Sequence, residues 1–488
     1  MAGTHCQRFD SVGGLTRRQW LGRFSCGLGG AALASLMGDS PAAAVPATLS
    51  RGLGGLPHFA PKARRVLVLF MSGGFSQFES FEHKPLLAER FGQPLPDSVL
   101  KGRMPLGMSK NQAVFQLTAA DFKFSRHGQS GMPFSDRFPH LAKHADELCF
   151  LRAVASDAVN HDPAMTFMQT GAQLPGRPSM GAWLSYGLGS ENRNLPAFVV
   201  LMTRRQVDQP LSTRLWDSGF LPAEHQGVLF RPSRDPVLYL SNPAGLPTEL
   251  QRATLDCLAE VQAAEMARRE GEAEIAARIA QYELAFRMQT SVPEVTALEG
   301  EPAAVRERYG PTLEVKGSFA YNALLARRLL ERDVRFVQLY HPGWDHHGNL
   351  PMQFAGNSAE IDQPMAALLS DLRERGLMDD TLVVFATEFG RTCYSQGTGP
   401  RPDKFGREHH RDAYTCWLAG AGVQPGLSHG ETDEFGFHPV SGRVHVHDLH
   451  ATIMHLLGID HERFTYRFQG RDYRLTDVSG EVVRPVLA

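Results

Sequence analysis

Several devices common in small or specialised proteins are missing from this chain. Cysteine is scarce, six residues in 488, and no pair has the C-x-x-C spacing of a zinc or redox motif. The four that follow residue 47, Cys149, Cys257, Cys393 and Cys416, spell no recognisable disulfide framework, so spacing leaves their pairing open. Excess charge of one sign is also absent. Fifty basic residues face 52 acidic ones, which removes the electrostatic reason to expect a nucleic-acid partner. Beyond the N-terminal segment no apolar run is long enough to span a bilayer, and no internal repeat marks a solenoid or propeller. These absences leave a large, mixed chain without a stable membrane span.

What the chain does have begins at its N-terminus. Leu15-Thr16-Arg17-Arg18-Gln19-Trp20-Leu21-Gly22-Arg23 is followed by a weakly apolar run from Phe24 to Met37 and small residues from Pro41 to Ala47. Basic, then apolar, then small is the order of an export signal, and the arginine pair marks the twin-arginine variant. Gly27, Gly29 and Gly30 make the apolar part too polar to anchor a helix in the membrane. The expectation is cleavage after Ala44 or Ala47, the twin-arginine translocase as an export partner, and a periplasmic or extracellular location. Residues 1–47 then form the signal peptide and linker, and 60–488 one domain with a helical insertion around 248–290.

The mature region reads as α/β. From Arg64 the chain runs Arg-Arg-Val-Leu-Val-Leu-Phe-Met and stops at Ser72-Gly73-Gly74, the pattern of a strand buried on both faces. Similar runs recur at Leu148 to Val154, Ala197 to Met202, Val334 to Tyr340, Thr381 to Ala386 and Ala413 to Leu418. Amphipathic stretches at Phe319 to Arg332 and Ser358 to Arg375 precede two of them, so strand, helix, strand implies parallel neighbours joined by crossovers. Leu250 to Gln289, rich in Ala, Glu, Arg and Gln, is expected as one helix or a pair lying partly in solvent.

In open α/β sheets ligands sit beyond the carboxyl ends of the strands, and there this chain is polar. His341-Pro-Gly-Trp344-Asp345-His346-His347-Gly-Asn349 follows one strand, and Thr387-Glu388-Phe389-Gly390-Arg391 follows another. Gly406-Arg407-Glu408-His409-His410-Arg411-Asp412 precedes a third. A carboxylate and imidazoles in a glycine-bracketed turn suit a divalent ion. Asp345, His347 and His409 are therefore expected as metal ligands, Glu388 as a further one, and His346 and His410 as further pocket candidates. One histidine alone is more often a surface or hydrogen-bonded core residue; clusters at one sheet edge change that balance. The cluster His445, His447 and His450 goes the other way, because Asp448 can cap the helix that begins there. Ser72 and Ser76 in the glycine loop are candidate nucleophiles, although a Gly-Gly turn after a buried strand also serves simply to turn the chain. Glu79 in the same loop, and Asn160 and His161 outside a helix that Asp162 and Pro163 can open, complete the pocket candidates.

Together, Met71-Ser-Gly-Gly-Phe-Ser-Gln, Asn160-His161 with Thr170-Gly171, Pro178-Ser-Met-Gly-Ala-Trp183, Gly343-Trp-Asp-His-His347, Thr387-Glu-Phe-Gly-Arg391 and Gly406-Arg-Glu-His409 resemble the domain-of-unknown-function family 1501. The resemblance covers nearly all of the mature chain. It implies an alkaline phosphatase-like, or sulfatase-like, three-layer fold: a mostly parallel central sheet, helices on both faces and a metal site at the carboxyl ends of the strands. Members of that superfamily commonly use two divalent ions and a hydroxyl or modified-cysteine nucleophile. By position Asp345, His347 and His409 match the ligands of one ion, whether zinc, calcium, magnesium or manganese. Where the superfamily usually has an Asp after the first strand and an Asp-His pair after the later one, this chain has Ser72 and Glu388-Phe389, so a second site is poor in ligands. Where the first loop of the family more often carries Asp, this chain has Glu79 and Glu82. The sulfatase motif built on a modified cysteine is absent at every cysteine.

The function implied is an exported metal-dependent hydrolase of phosphate or sulfate esters, acting on a small anionic ester or a sulfated or phosphorylated glycan. Arg391 and Arg411 are then expected to hold the anionic oxygens. The alternative is a non-catalytic exported binding protein with a degenerate site of the same kind.

Overall fold

The computed structural model describes residues 52–488 except 102–106, 205–208, 234, 239, 243–244 and 269–272. The expected leader lies outside the described residues.

Strand β1 (Arg65–Ser72) is buried at every position, as a strand covered on both faces must be. It is followed by β2 (Leu148–Ala155), β3 (Phe198–Met202), β4 (Val228–Phe230), β5 (Phe336–Pro342), β6 (Thr381–Ala386), β7 (Gly390–Ser395), β8 (Arg407–His410), β9 (Tyr414–Gly420), β10 (Ser428–His429) and β11 (Val444–His445). All but β7 and β8 build a nine-stranded sheet in the order β10-β2-β9-β6-β1-β5-β3-β4, with β11 also on β2. Strand β1 lies parallel to β5 and β6, and β3 parallel to β5 and β4. Each apolar run singled out in the sequence supplies one of these strands.

One strand departs from the parallel expectation. Strand β9 runs antiparallel to β2 and β6. The physical reason is the connection: only the β7–β8 hairpin lies between β6 and β9, and without a crossover helix the chain returns in the opposite sense. The consequence matters for the site. Residues that precede β9 arrive at the same sheet edge as residues that follow β1, β2, β5 and β6.

The principal helices are α1 (His161–Thr170), α2 (Met180–Leu188), α3 (Thr248–Arg268), α4 (Ala273–Thr296), α5 (Phe319–Leu330), α6 (Leu350–Glu374) and α7 (Val446–Leu456). Alternation along β1 divides the apolar core between two layers. Leu67, Leu69 and Met71 share one layer with Leu324, Leu325 and Leu329 of α5 and with Ile361, Leu368 and Leu372 of α6. Val66, Val68 and Phe70 share the other with Met165 of α1, Trp183 of α2 and Ile453 of α7. Helices therefore cover both faces of a mostly parallel sheet, the α/β architecture the sequence predicts. Among the described residues no helix is long and apolar enough to cross a membrane.

Two local expectations need correction. Helix α6 starts eight residues before Ser358, at Leu350, because Pro351 suits a first turn and Asn349 turns the chain with a left-handed backbone. Helix α1 starts at His161 with Asn160 at the N-cap position and no side-chain cap, so Asp162 lies within the first turn and does not cap it. The stretch from Leu250 to Gln289 is a helix pair, α3 and α4. Asn242–Ile279 falls in one compact unit; the sheet belongs to a second, which runs up to Ser241 and resumes at Ala280. Within the second unit Met288, Val292 and Val295 of α4 are buried in the layer shared with α5.

Candidate metal centre

The turn after β5 is organised by alternation. Trp344 and His346 point inward and are almost fully buried, Trp344 packing edge-on against Phe75 and Phe354. Asp345 and His347, of opposite parity, are turned to the other side and keep 31% and 22% of their side-chain surface. The loop after β1 closes on this turn: with φ of +119° and +71°, Gly73 and Gly74 take backbone conformations that favour glycine. A Cβ on Gly73 would stand 2.6 Å from the Asp345 nitrogen, so only glycine lets the two loops meet. Gly406 serves the same end, since a Cβ there would overlap the His347 carbonyl.

Four donors converge at this edge. Asp345, His347 and His409, the three residues predicted together, are joined by His161, and one ligand atom from each lies within 4.8 Å of every other. His347 Nε2 is 2.9 Å and His409 Nε2 3.2 Å from Asp345 Oδ1, while His161 Nε2 is 3.1 Å from Oδ2. Donors around a tetrahedral ion with bonds of about 2.0–2.1 Å stand roughly 3.3 Å apart; the three His–Asp separations are of that size, which is also the length of an ordinary hydrogen bond.

The far side of each imidazole is fixed. His161 Nδ1 donates to Glu388 Oε1 at 2.7 Å, His409 Nδ1 to the Val159 carbonyl at 2.8 Å, and His347 Nδ1 to the Gln396 side-chain carbonyl. Each of those partners accepts at the atom concerned, so Nδ1 carries a hydrogen; Nε2 presents a lone pair when a ring is neutral and donates to Asp345 when it is protonated. With all three rings neutral, three lone pairs and a carboxylate would face one another, which is unfavourable unless a cation or added protons stand among them. His161 Nε2 is buried with Asp345 Oδ2 3.1 Å away.

The charges follow from this packing. Burial opposes a charge on His161, but the carboxylates of Asp345 and Glu388 overcome it and push the imidazole up to about 9. Burial pushes His409 down to about 4 despite the pull of Asp345, with Arg391 and the neighbouring imidazoles adding to the effect. Burial alone would raise Asp345, yet His161, His347, His409 and Arg391 together hold its carboxyl far below the usual carboxylate range.

A pH dependence results for the metal-free protein. A histidine raised in the folded state stabilises it fully below the unfolded value near 6.5 and loses that contribution as pH rises through about 9. The expected fall in stability is about 3 kcal/mol between those limits. It is checked by urea unfolding at pH 6.5 and 9.5; the His161→Asn variant should show a flatter profile, and an equal slope in both proteins would refute the assignment.

The remaining predicted residues have other surroundings. Glu388 is fully buried, and its Oε1 also accepts the Gly73 N–H at 2.8 Å; it backs His161 and is not among the four converging donors. Arg391, expected at the substrate, is fully buried and spends its donors on the protein: Nε on the Gly74 carbonyl at 2.7 Å, Nη1 on that of Arg407 at 3.0 Å, and Nη2 on Gly73, Trp344 and Asp345. It is a strut that ties three loops together. Arg411 donates to the Asp157 carbonyl. Ser72 Oγ donates to Gln209 at 3.2 Å and Ser76 Oγ to Glu79, and both serines are buried. Glu79 pairs with Arg407 at 2.7 Å, each almost fully buried. Glu82 accepts from Thr415 at 3.1 Å. His346 lies 3.1 Å from the Asn357 amide, and His410 Nε2 donates to the Phe437 carbonyl at 2.7 Å. Asn160 stands at the N-cap of α1 and contributes no side-chain bond there. Among the other histidines, Asp448 accepts from the His445 N–H at 2.8 Å in a capping box, and His447 and His450 bond to carbonyls of Gly171 and Met168.

Sequence reasoning placed His161 only at the margin of the pocket and did not single out Gln396 or Val159. The available signal for His161 was its position directly after the strand at 148–155, the same edge as the other three.

The profile of a family described as "Protein of unknown function (DUF1501)" matches residues 63–487. No curated protein matches. Similar solved structures include the PsFucS1 sulfatase from Pseudoalteromonas sp., at 12% identity and TM-score 0.38, covering 88% of this chain and 73% of the other. The lipoteichoic acid synthase LtaP from Listeria monocytogenes follows at 10% and 0.34, with 87% and 76% covered. The alkaline phosphatase from the Antarctic bacterium TAB5 stands at 12% and 0.26, with 82% and 99% covered. Likeness at this level does not carry a site from one chain to another.

Proposed function

We propose that this chain, which belongs to the DUF1501 family, is an exported metal-dependent hydrolase of phosphate or sulfate esters. The reading is supported by one observation above all: three imidazoles with their Nδ1 atoms tied back point their Nε2 atoms at a single carboxylate. Three nitrogens and an oxygen form a donor set that suits zinc better than calcium or magnesium, which prefer oxygen ligands. His161, Asp345, His347 and His409 would hold the ion, which would supply Lewis-acid polarisation of an ester oxygen and lower the pKa of water at the site.

The chain's own residues have distinct parts in this scheme. Glu388, Gln396 and Val159 hold the imidazoles in one tautomer, and Arg391 clamps the loop after β1 against the turn that carries Asp345. Ser72 and Ser76, the hydroxyls expected as nucleophiles, are buried and engaged by Gln209 and Glu79, so water is the better acceptor of the transferred group. Anionic esters, including sulfated or phosphorylated glycans, are the substrate class. Export rests on the leader at Arg17 and Arg18 and places the reaction in the periplasm or outside the cell.

A second reading has its own observation. Arg391 already donates to Asp345 at 2.7 Å, and a proton on His161 also compensates the carboxylate, so a metal-free binding protein is the competing assignment. Elemental analysis of the purified mature protein, with turnover of an aryl phosphate and an aryl sulfate, separates the two. The hydrolase reading expects about one equivalent of a divalent metal and turnover that disappears on chelation. A metal-free protein inactive on both esters would leave only the binder.

A further inference from the structure

We infer that Glu388 is a positioning residue for the metal centre, setting the tautomer and donor strength of His161 and thereby the affinity of the site for its ion. The inference rests on the metal reading above and deepens it.

The three imidazoles are not backed alike. His409 leans on a backbone carbonyl and His347 on an amide oxygen, both neutral. Only His161, of the three, donates to a side chain that carries a full negative charge when ionised. A carboxylate draws on an Nδ1–H more strongly than a neutral oxygen does, which raises electron density at Nε2 and makes it the stronger ligand.

The local architecture is suited to that role and not to ligation. The His161 ring stands between the two carboxylates, with Nδ1 toward Glu388 and Nε2 toward Asp345. Glu388 is fully buried directly after β6, held by the Gly73 N–H on Oε1 and by the Thr387 hydroxyl at 3.2 Å on Oε2. Phe389 packs on both His161 and His409, with ring centroids 5.0 Å and 4.3 Å away, so neither ring can swing without displacing it. The same carboxylate therefore joins the loop after β1 to the helix that carries His161.

Glu388→Gln tests the charge alone. A glutamine can keep its carbonyl oxygen where Oε1 stands, accepting from both His161 and Gly73, while the charge is lost. The measurements are zinc affinity by competition with a chelator, the visible spectrum of the cobalt(II)-substituted protein, and the melting temperature of the metal-free form. The expected result for Glu388→Gln is a roughly 10–100-fold loss of zinc affinity, altered cobalt bands and, above about pH 9.5 where His161 has lost its added proton in both proteins, an unchanged metal-free melting temperature. Glu388→Ala should lose at least as much affinity. Two results overturn the inference: a Gln variant that binds zinc as tightly as the parent with the same cobalt spectrum, or an affinity loss with an unaltered spectrum and an equally weakened metal-free fold. A parent protein that takes up no ion overturns the metal reading itself, which keeps the two failures distinguishable.

Discussion

If the chain is the metal-dependent hydrolase proposed above, Asp345→Asn should abolish metal binding and lower ester turnover by roughly 10²–10³-fold or more, the range seen when a key electrostatic group is deleted. Asn has nearly the same shape as Asp, so the comparison isolates charge. In the parent the carboxylate faces three Nε2 atoms and the Arg391 guanidinium; in the variant the imidazoles have no anion to share a cation with. Affinity should fall further than the 10–100-fold typical of a residue one shell out. The fold should weaken, because buried Arg391 loses its carboxylate partner, and should survive, because Arg391 keeps its bonds to the Gly73, Gly74, Trp344 and Arg407 carbonyls. Metal content after dialysis and initial rates on aryl phosphate and aryl sulfate check this. Retained metal together with retained turnover in a folded Asp345→Asn protein would contradict the assignment.

Glu79→Ala should produce the largest loss of stability, about 3–5 kcal/mol, because removing one member of a buried pair leaves an uncompensated charge. Arg407 has no solvent to turn to, being fully buried between Phe78 and Phe405. Its other donors bond Thr118 and the Thr392 carbonyl, but those partners carry no charge. The damage should also reach the metal centre, since the Arg407 carbonyl accepts from Arg391. Urea unfolding gives the test, with the double variant Glu79→Leu/Arg407→Met as the comparison. It should be more stable than Glu79→Ala alone, because no buried charge is left behind; a double variant as unstable as the single one would show that packing and not charge is what Glu79 contributes.

Much of the fold was legible because buried strands and amphipathic helices are written locally. The run at 64–71 must be a strand covered on both sides, and its parity sends Leu67 and Val66 to opposite layers. Asp345 and His347 were legible as a carboxylate and an imidazole in a glycine-bracketed turn after a strand, whereas packing decided that Trp344 and His346 point inward. Arg391 was misread because its sequence neighbourhood, a polar turn after a strand, looks the same whether the guanidinium faces a ligand or the backbone carbonyls of Gly73 and Gly74. Glu388 was placed among the ligands for the same reason: its distance from Asp345 depends on which ring stands between them.

By itself the sequence determined the class of fold, the edge at which chemistry can occur and three of the four converging donors, because strand burial, helix periodicity and loop polarity are properties of short segments. Only the tertiary structure decided that His161 completes the set, that Glu388 stands behind it, and that Arg391, Ser72 and Ser76 are turned to the protein. Apart from Ser76, which bonds to nearby Glu79, those outcomes depend on contacts between segments far apart in the chain, and on the reversal of β9 that brings His409 to the same edge as Asp345. Such contacts are set by packing, which local pattern does not encode.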